Sequence, residues 1–215
     1  MSVEAQVDAK ICGLSTAETV EAAVHHGARY VGFVTFPKSP RYVSTETMRA
    51  LGALVPKTVT RVGLFVDPDD ALLDERLATD ALDMLQLHGG ETPERVAAIR
   101  QRTGKSVMKA INVSAAKDVE QGIAAYAGVV DCLMFDAAAG TLPGGNAQAF
   151  DWTFLSGRAV PVPWFLAGGL TPVNVAEAVR VTGAPIVDVS SGVEESRGVK
   201  SIASIRAFLD RVKAL

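Results

Sequence analysis

Short apolar, β-branched runs alternate with amphipathic stretches along most of the chain. Runs at Lys10–Cys12, Tyr30–Phe33, Arg61–Val66, Met84–Leu87, Val107–Ile111, Cys132–Phe135, Trp164–Ala167 and Ile186–Val189 are too short for helices and predict strands. Helical periodicity falls between them, at Ala17–His26, Thr45–Leu54, Pro93–Arg102, Ala116–Tyr126, Val173–Val181 and Ile202–Val212. Ser15, three residues before Glu18, has capping-box spacing and predicts the first helix start. Thr92-Pro93 and Thr171-Pro172 place proline at a first helical position behind a hydroxyl cap. Asp69-Asp70 reads as a further helix start, and His25-His26 as a positive complement to a helix C-terminus. Gly27, Gly104 and Gly183 follow helical runs, where glycine relieves a left-handed turn.

Strands alternating with helices predict a parallel sheet. An open doubly wound sheet would carry a glycine-rich dinucleotide loop after its first strand, and Cys12-Gly13-Leu14 lacks that spacing. Polar and glycine residues gather at the C-terminal ends of the strands, which in a closed barrel converge on one face. The expected fold is therefore an α/β, parallel eight-stranded (β/α)₈ or TIM barrel, with residues 1–215 forming one domain.

Composition fits this picture. Apolar residues make up 48% of the 215, enough for a sizeable core. A net charge of −3 argues against broad nucleic-acid binding but leaves room for a local basic pocket. Two cysteines, Cys12 and Cys132, do not make a secreted disulfide framework. Met1–Lys10 carries acids and no apolar core, unlike a signal peptide, and the apolar stretch Gly122–Phe135 is interrupted by Asp131 and too short to span a bilayer. The reading is a soluble, cytoplasmic protein with neither nucleic acid nor membrane as partner.

Candidate chemistry sits at the strand ends. Gly168-Gly169 follows the seventh strand and Ser190-Ser191-Gly192 the eighth, the two loops that commonly cradle phosphate in barrels. Glycine lets backbone N–H groups approach an anion, and a helix start adds unpaired donors. Cys12 ends strand one, where a thiolate could remove a proton from carbon; a small buried hydrophobe is the plainer role. Cys132 lies lower on its strand and reads as core. Asp136 ends strand six, on the same face as Cys12, so an acid and a base could flank one substrate. Arg41, in the proline-stiffened loop Phe36–Tyr42, suits bidentate capture of a carboxylate or phosphate; the alternative is a solvated arginine. His88 ends strand four and either polarises substrate or bonds the barrel rim. No cluster has convincing metal-ligand spacing.

The order and spacing of Lys10-Ile11-Cys12-Gly13, Gly32-Phe33 through Ser39-Pro40-Arg41, Val62–Val66, Gln86-Leu87-His88-Gly89, Phe135-Asp136, Pro143-Gly144-Gly145 with Phe150-Asp151-Trp152, Leu166–Leu170 and Asp188–Glu194 resemble the phosphoribosylanthranilate isomerases of tryptophan biosynthesis. The resemblance runs from about Lys10 to the C-terminal helix. It implies an Amadori rearrangement of a phosphoribosyl anthranilate, with no cofactor and no metal. By the same resemblance Asp136 is the general acid, Cys12 the general base and Arg41 the holder of the anthranilate carboxylate. Gly168, Gly169, Ser191 and Gly192 then hold the phosphate, and Asp188 and His88 border the sugar. One departure stands out: Gly144-Gly145-Asn146-Ala147 replaces the family's Gly-Gly-Thr-Gly. The other readings are a pentose-phosphate epimerase, which would need metal-binding His and Asp at several strand ends, a non-catalytic sugar-phosphate binder, and an enzyme with a second isomerase activity. As to assembly, the chain is expected as a monomer or homodimer.

Overall fold

The computed structural model describes residues 6–137 and 150–215. Gly144-Gly145-Asn146-Ala147 and Pro143 lie outside the described residues. The chain runs β1 (Asp8–Cys12), α1 (Ala17–His25), β2 (Tyr30–Val34), α2 (Thr45–Gly52), β3 (Thr60–Phe65), α3 (Asp70–Leu77), β4 (Met84–Leu87), α4 (Pro93–Thr103), β5 (Ser106–Val113), α5 (Ala116–Tyr126) and β6 (Cys132–Ala137). It continues through a 3₁₀ turn (Trp152–Leu155), β7 (Trp164–Leu166), α6 (Val175–Thr182), β8 (Ile186–Val189), a second 3₁₀ turn (Ser191–Val193), β9 (Glu194–Ser196), β10 (Val199–Lys200) and α7 (Ile202–Lys213). Strands β1 to β8 pair in sequence order, all parallel, and β8 closes on β1. The expected barrel is borne out.

Strand alternation sorts the side chains into two layers. On β6, Leu133 and Phe135 pack outward under the helices, while Cys132 and Met134 join Val62, Met84, Met108 and Phe165 inside the barrel. Cys132 is core, as read. The same parity carries Asp136 up the inside of β6 and Gln86 and His88 up the inside of β4, above Met84. Cys12 packs with Val34 and Leu64 nearer the mouth.

Three local readings change. The first helix is capped by Thr16, whose hydroxyl accepts from Thr19 N at 3.3 Å, and not by Ser15. Thr16 has the extended backbone that a cap requires, and the helix begins at the next residue. Thr171 Oγ1 accepts from Asn174 N while Asn174 Oδ1 accepts from Thr171 N, but the regular helix starts only at Val175, so its N-cap is Asn174 and not Thr171, and Pro172 lies before the first helical position. The hairpin β9–β10 has no counterpart in the hydrophobic pattern, because its strands hold three and two residues. Thr92, Asp69, Gly104 and Gly183 cap as expected, the two glycines at φ +63° and +69°.

Candidate active site

The C-terminal ends of the barrel strands surround a cavity of about 750 Å³, counting the part open to solvent. Val34, Phe36, Leu64 and Val66 make one wall apolar. Cys12 packs against this wall, Gln86, His88, Asp136 and Asp188 add polar groups, and Gly168, Gly169 and Ser191 complete the lining. A cavity of this size with one greasy wall and convergent polar groups fits a small organic anion.

Cys12 shares the inside of β1 with Lys10. Lys10 has no exposed surface, and its Nζ donates to Asp188 Oδ1 at 2.8 Å. Burial works to neutralise Lys10, but Asp188 and Cys12 outweigh it and hold the ammonium above its usual value. Burial pushes the Cys12 thiol up; Lys10 and Lys200 pull it down but do not cancel the effect. Gly32 makes room for this pair: a Cβ there would stand 3.0 Å from Cys12 Sγ and 3.2 Å from Lys10 Nζ.

Asp136 stands across the barrel with His88. Nε2 of His88 is 3.2 Å from Asp136 Oδ2, though off the line of a good hydrogen bond, and Nδ1 is 2.9 Å from Gln86 Nε2. Oδ1 of Asp136 faces the bare Cα of Gly168, where a Cβ would come within 3.0 Å of it. All three residues of this chain are buried.

Arg41 is buried, so the solvated-arginine reading fails. Its guanidinium makes a two-point bond to Glu194, Nε to Oε1 at 2.6 Å and Nη2 to Oε2 at 2.9 Å. Lys200 Nζ donates to the same carboxylate at 2.8 Å and to the Ser190 carbonyl at 2.9 Å. The β9–β10 hairpin thus ties the loop after β2 to the loop after β8. Burial works to raise the Glu194 carboxyl, but Arg41 and Lys200 overcome it and hold it below the usual range.

Gly168 and Gly169 adopt φ of +87° and +65°, conformations that expose backbone N–H groups at the turn. Ser191 begins a 3₁₀ turn, whose first N–H groups lack internal acceptors. Gly192 is not on the cavity wall; it packs against Leu170, where a Cβ would overlap the carbonyl oxygen. The structure therefore gathers Cys12, Arg41, His88, Asp136, Gly168, Gly169, Asp188 and Ser191 around one cavity, with Gly192 setting the spacing of two loops. Sequence reasoning missed Lys10, Gln86, Glu194 and Lys200 as parts of the site. A lysine next to Ile11 and Cys12 in an inward-facing strand was the available signal for the first.

A model of the family described as N-(5'-phosphoribosyl)anthranilate (PRA) isomerase matches residues 9–211. The chain belongs to this family. Among curated relatives, the N-(5'-phosphoribosyl)anthranilate isomerase of Paracoccus denitrificans is 55% identical over 211 residues, covering 97% of this chain and 98% of the relative. The crystal structure of phosphoribosyl anthranilate isomerase from Thermotoga maritima superposes with a TM-score of 0.88 at 36% identity, covering 98% of this chain and all of that one. Another isomerase structure, solved in complex with reduced 1-(o-carboxyphenylamino)-1-deoxyribulose 5-phosphate, superposes at 0.83 with 35% identity, covering 98% and 100%. The matched range includes every residue of the PRA isomerase site described above.

Proposed function

We propose that this chain catalyses the Amadori rearrangement of N-(5-phospho-β-D-ribosyl)anthranilate to 1-(2-carboxyphenylamino)-1-deoxy-D-ribulose 5-phosphate, a step of tryptophan biosynthesis. The observation that carries the reading is the convergence of Cys12 and Asp136 on one cavity that also holds a glycine rim and a buried arginine. Gly168, Gly169 and Ser191 hold the phosphate through backbone N–H groups. The apolar wall of Val34, Phe36, Leu64 and Val66 takes the aromatic ring, and Arg41 takes its carboxylate. Asp188 and His88 border the sugar.

The reaction then follows from proton placement. Asp136 gives its proton to the ribose ring oxygen, the C1–O bond breaks, and the nitrogen lone pair forms the iminium double bond. The iminium withdraws electrons from C2, so its C–H becomes acidic enough for a thiolate to remove. Burial keeps Cys12 largely as a thiol before substrate binds; the positive iminium beside it adds a charge that favours the thiolate. The C2–H electrons form the enolamine, which tautomerises by gaining a proton at C1 and losing the hydroxyl proton. Lys10, Lys200 and Asp188 set the electrostatics of this base from behind.

Among the described residues no three of His, Cys, Asp and Glu are placed to hold a metal ion, which does not favour an epimerase reading. None of their helices is long and apolar enough to cross a membrane. In this reading residues 1–215 act as one domain in the cytoplasm, as a monomer or a homodimer.

The test is turnover of freshly generated phosphoribosylanthranilate, followed by loss of its fluorescence, without added metal. Wild type is expected to turn over, while Cys12→Ser and Asp136→Asn each lose about 10²–10⁴-fold in kcat with folding unchanged. No turnover by wild type, or full activity in either variant, overturns the reading.

A further inference from the structure

Gln86 lies between Met84 and His88 on the inward parity of β4, among the side chains that line the cavity. Three observations fix how its amide is turned. Its Nε2 is 2.9 Å from His88 Nδ1 and 3.3 Å from the sulfur of Met134. A thioether sulfur accepts and never donates, so the NH₂ facing it makes a hydrogen bond that the amide oxygen, buried here without a partner, could not make in its place. The second hydrogen of that NH₂ then points at His88 Nδ1, which must accept. Gln86 is 1% exposed, so these two contacts are buried.

From this geometry we infer that Gln86 is a positioning residue for the isomerisation: it holds His88 as the neutral tautomer protonated at Nε2. The inference rests on the function proposed above. Its consequence falls on the acid. With a hydrogen on Nε2, His88 can only donate to Asp136 Oδ2, so the proton of the neutral acid resides on Oδ1, beside Gly168 and open to substrate. When the Oδ1–H bond breaks and the proton passes to the ring oxygen, the electron pair stays on a carboxylate already facing an N–H donor. The poor alignment of that N–H is common in catalytic hydrogen bonds before they tighten around substrate. The other tautomer would present a bare Nε2 to Asp136, draw the proton to Oδ2, and turn it away from the sugar.

The experiment uses two readouts. ¹⁵N spectra of histidine-labelled protein distinguish the tautomers, and with three histidines in the chain His88 is readily assigned through a His88→Asn variant. Wild-type His88 is expected to be neutral with Nε2 protonated. Gln86→Glu keeps the shape but reverses the polarity, because a carboxylate only accepts. His88 Nδ1 must then carry a proton, giving either the wrong neutral tautomer or an imidazolium that keeps Asp136 ionised. Gln86→Leu removes the tautomer preference altogether.

Gln86→Glu is expected to lose roughly 10- to 100-fold in kcat, part of the about 10²–10⁴ that a general acid supplies, with KM within about threefold of wild type, whereas Gln86→Leu, which leaves about half of His88 in the productive tautomer, loses only about twofold. A wild-type His88 protonated at Nδ1 overturns the inference without any variant. So does wild-type kcat in Gln86→Glu. If wild type fails to turn over phosphoribosylanthranilate, the functional reading falls while the spectrum still decides the tautomer, so the two failures are distinguishable.

Discussion

Nζ of Lys10 lies 2.8 Å from Oδ1 of Asp188 inside the barrel, and the two residues are register partners on β1 and β8, the strands that close it. The closure of the barrel therefore coincides with a buried ion pair directly behind the cavity. Breaking such a pair from one side leaves a buried charge alone, whereas replacing both sides with apolar groups removes the desolvation cost as well.

Lys10→Met is accordingly expected to lower stability by about 3–5 kcal/mol in urea unfolding, and the double variant Lys10→Met/Asp188→Leu to recover much of it. A double variant that loses the sum of the Lys10→Met and Asp188→Leu single losses would show that the pair is not coupled.

The Cys12 thiol is predicted to alkylate slowly at neutral pH. Burial holds it above its ordinary value of 9.0, so the thiolate population, and with it the rate with iodoacetamide, rises only beyond that value. The measurement belongs in a Cys132→Ala background, although Cys132, pushed by burial to about 11, should react later still. A half-maximal rate below pH 8 would contradict this. Lys10→Met should move the profile further upward, since it removes a cation that favours the thiolate.

Glu194 links stability to acid. Its folded carboxyl titrates below the unfolded value of about 4.3, so its contribution is complete above that pH and is lost as pH falls through the folded value. Glu194→Gln should lower the melting temperature at pH 7, with the gap to wild type closing below about pH 4. A gap that stays constant down to pH 3 would mean the carboxylate's charge is not what the site uses.

Gly192→Ala puts a methyl group onto the carbonyl oxygen of Leu170. Overpacking of this kind costs about 1–3 kcal/mol, and here it separates the loops after β7 and β8. KM for the phosphorylated substrate is expected to rise about tenfold, equivalent to ~1.4 kcal/mol. Unchanged KM and unchanged melting temperature would show that the spacing of the two loops does not matter for binding.

The barrel was legible because its signals are local. A strand run such as Met84–Leu87 and a helix start such as Thr92-Pro93 each express their preference within a few residues. The same locality explains the errors. Ser15 and Thr16 are both hydroxyl caps by type, and only the folded backbone shows that Thr16, extended and bonded to Thr19 N, is the one that caps. The β9–β10 hairpin was invisible because strands of three and two residues carry no period, and its order comes from Glu194, Lys200 and Arg41 meeting across the chain.

The sequence by itself determined the strand order and placed Cys12, Asp136, Arg41 and the Gly168-Gly169 turn at the strand ends that surround the cavity. Parity along a strand and position at its C-terminal end are one-dimensional facts. Only the tertiary structure decided what each group faces: Lys10 with Asp188, 178 residues apart, Arg41 with Glu194, 153 apart, and Gln86 with Met134, 48 apart. Charge state, tautomer and hydrogen-bond direction depend on distances between such residues and on their removal from water. Those quantities arise when the barrel closes and have no local trace in the chain.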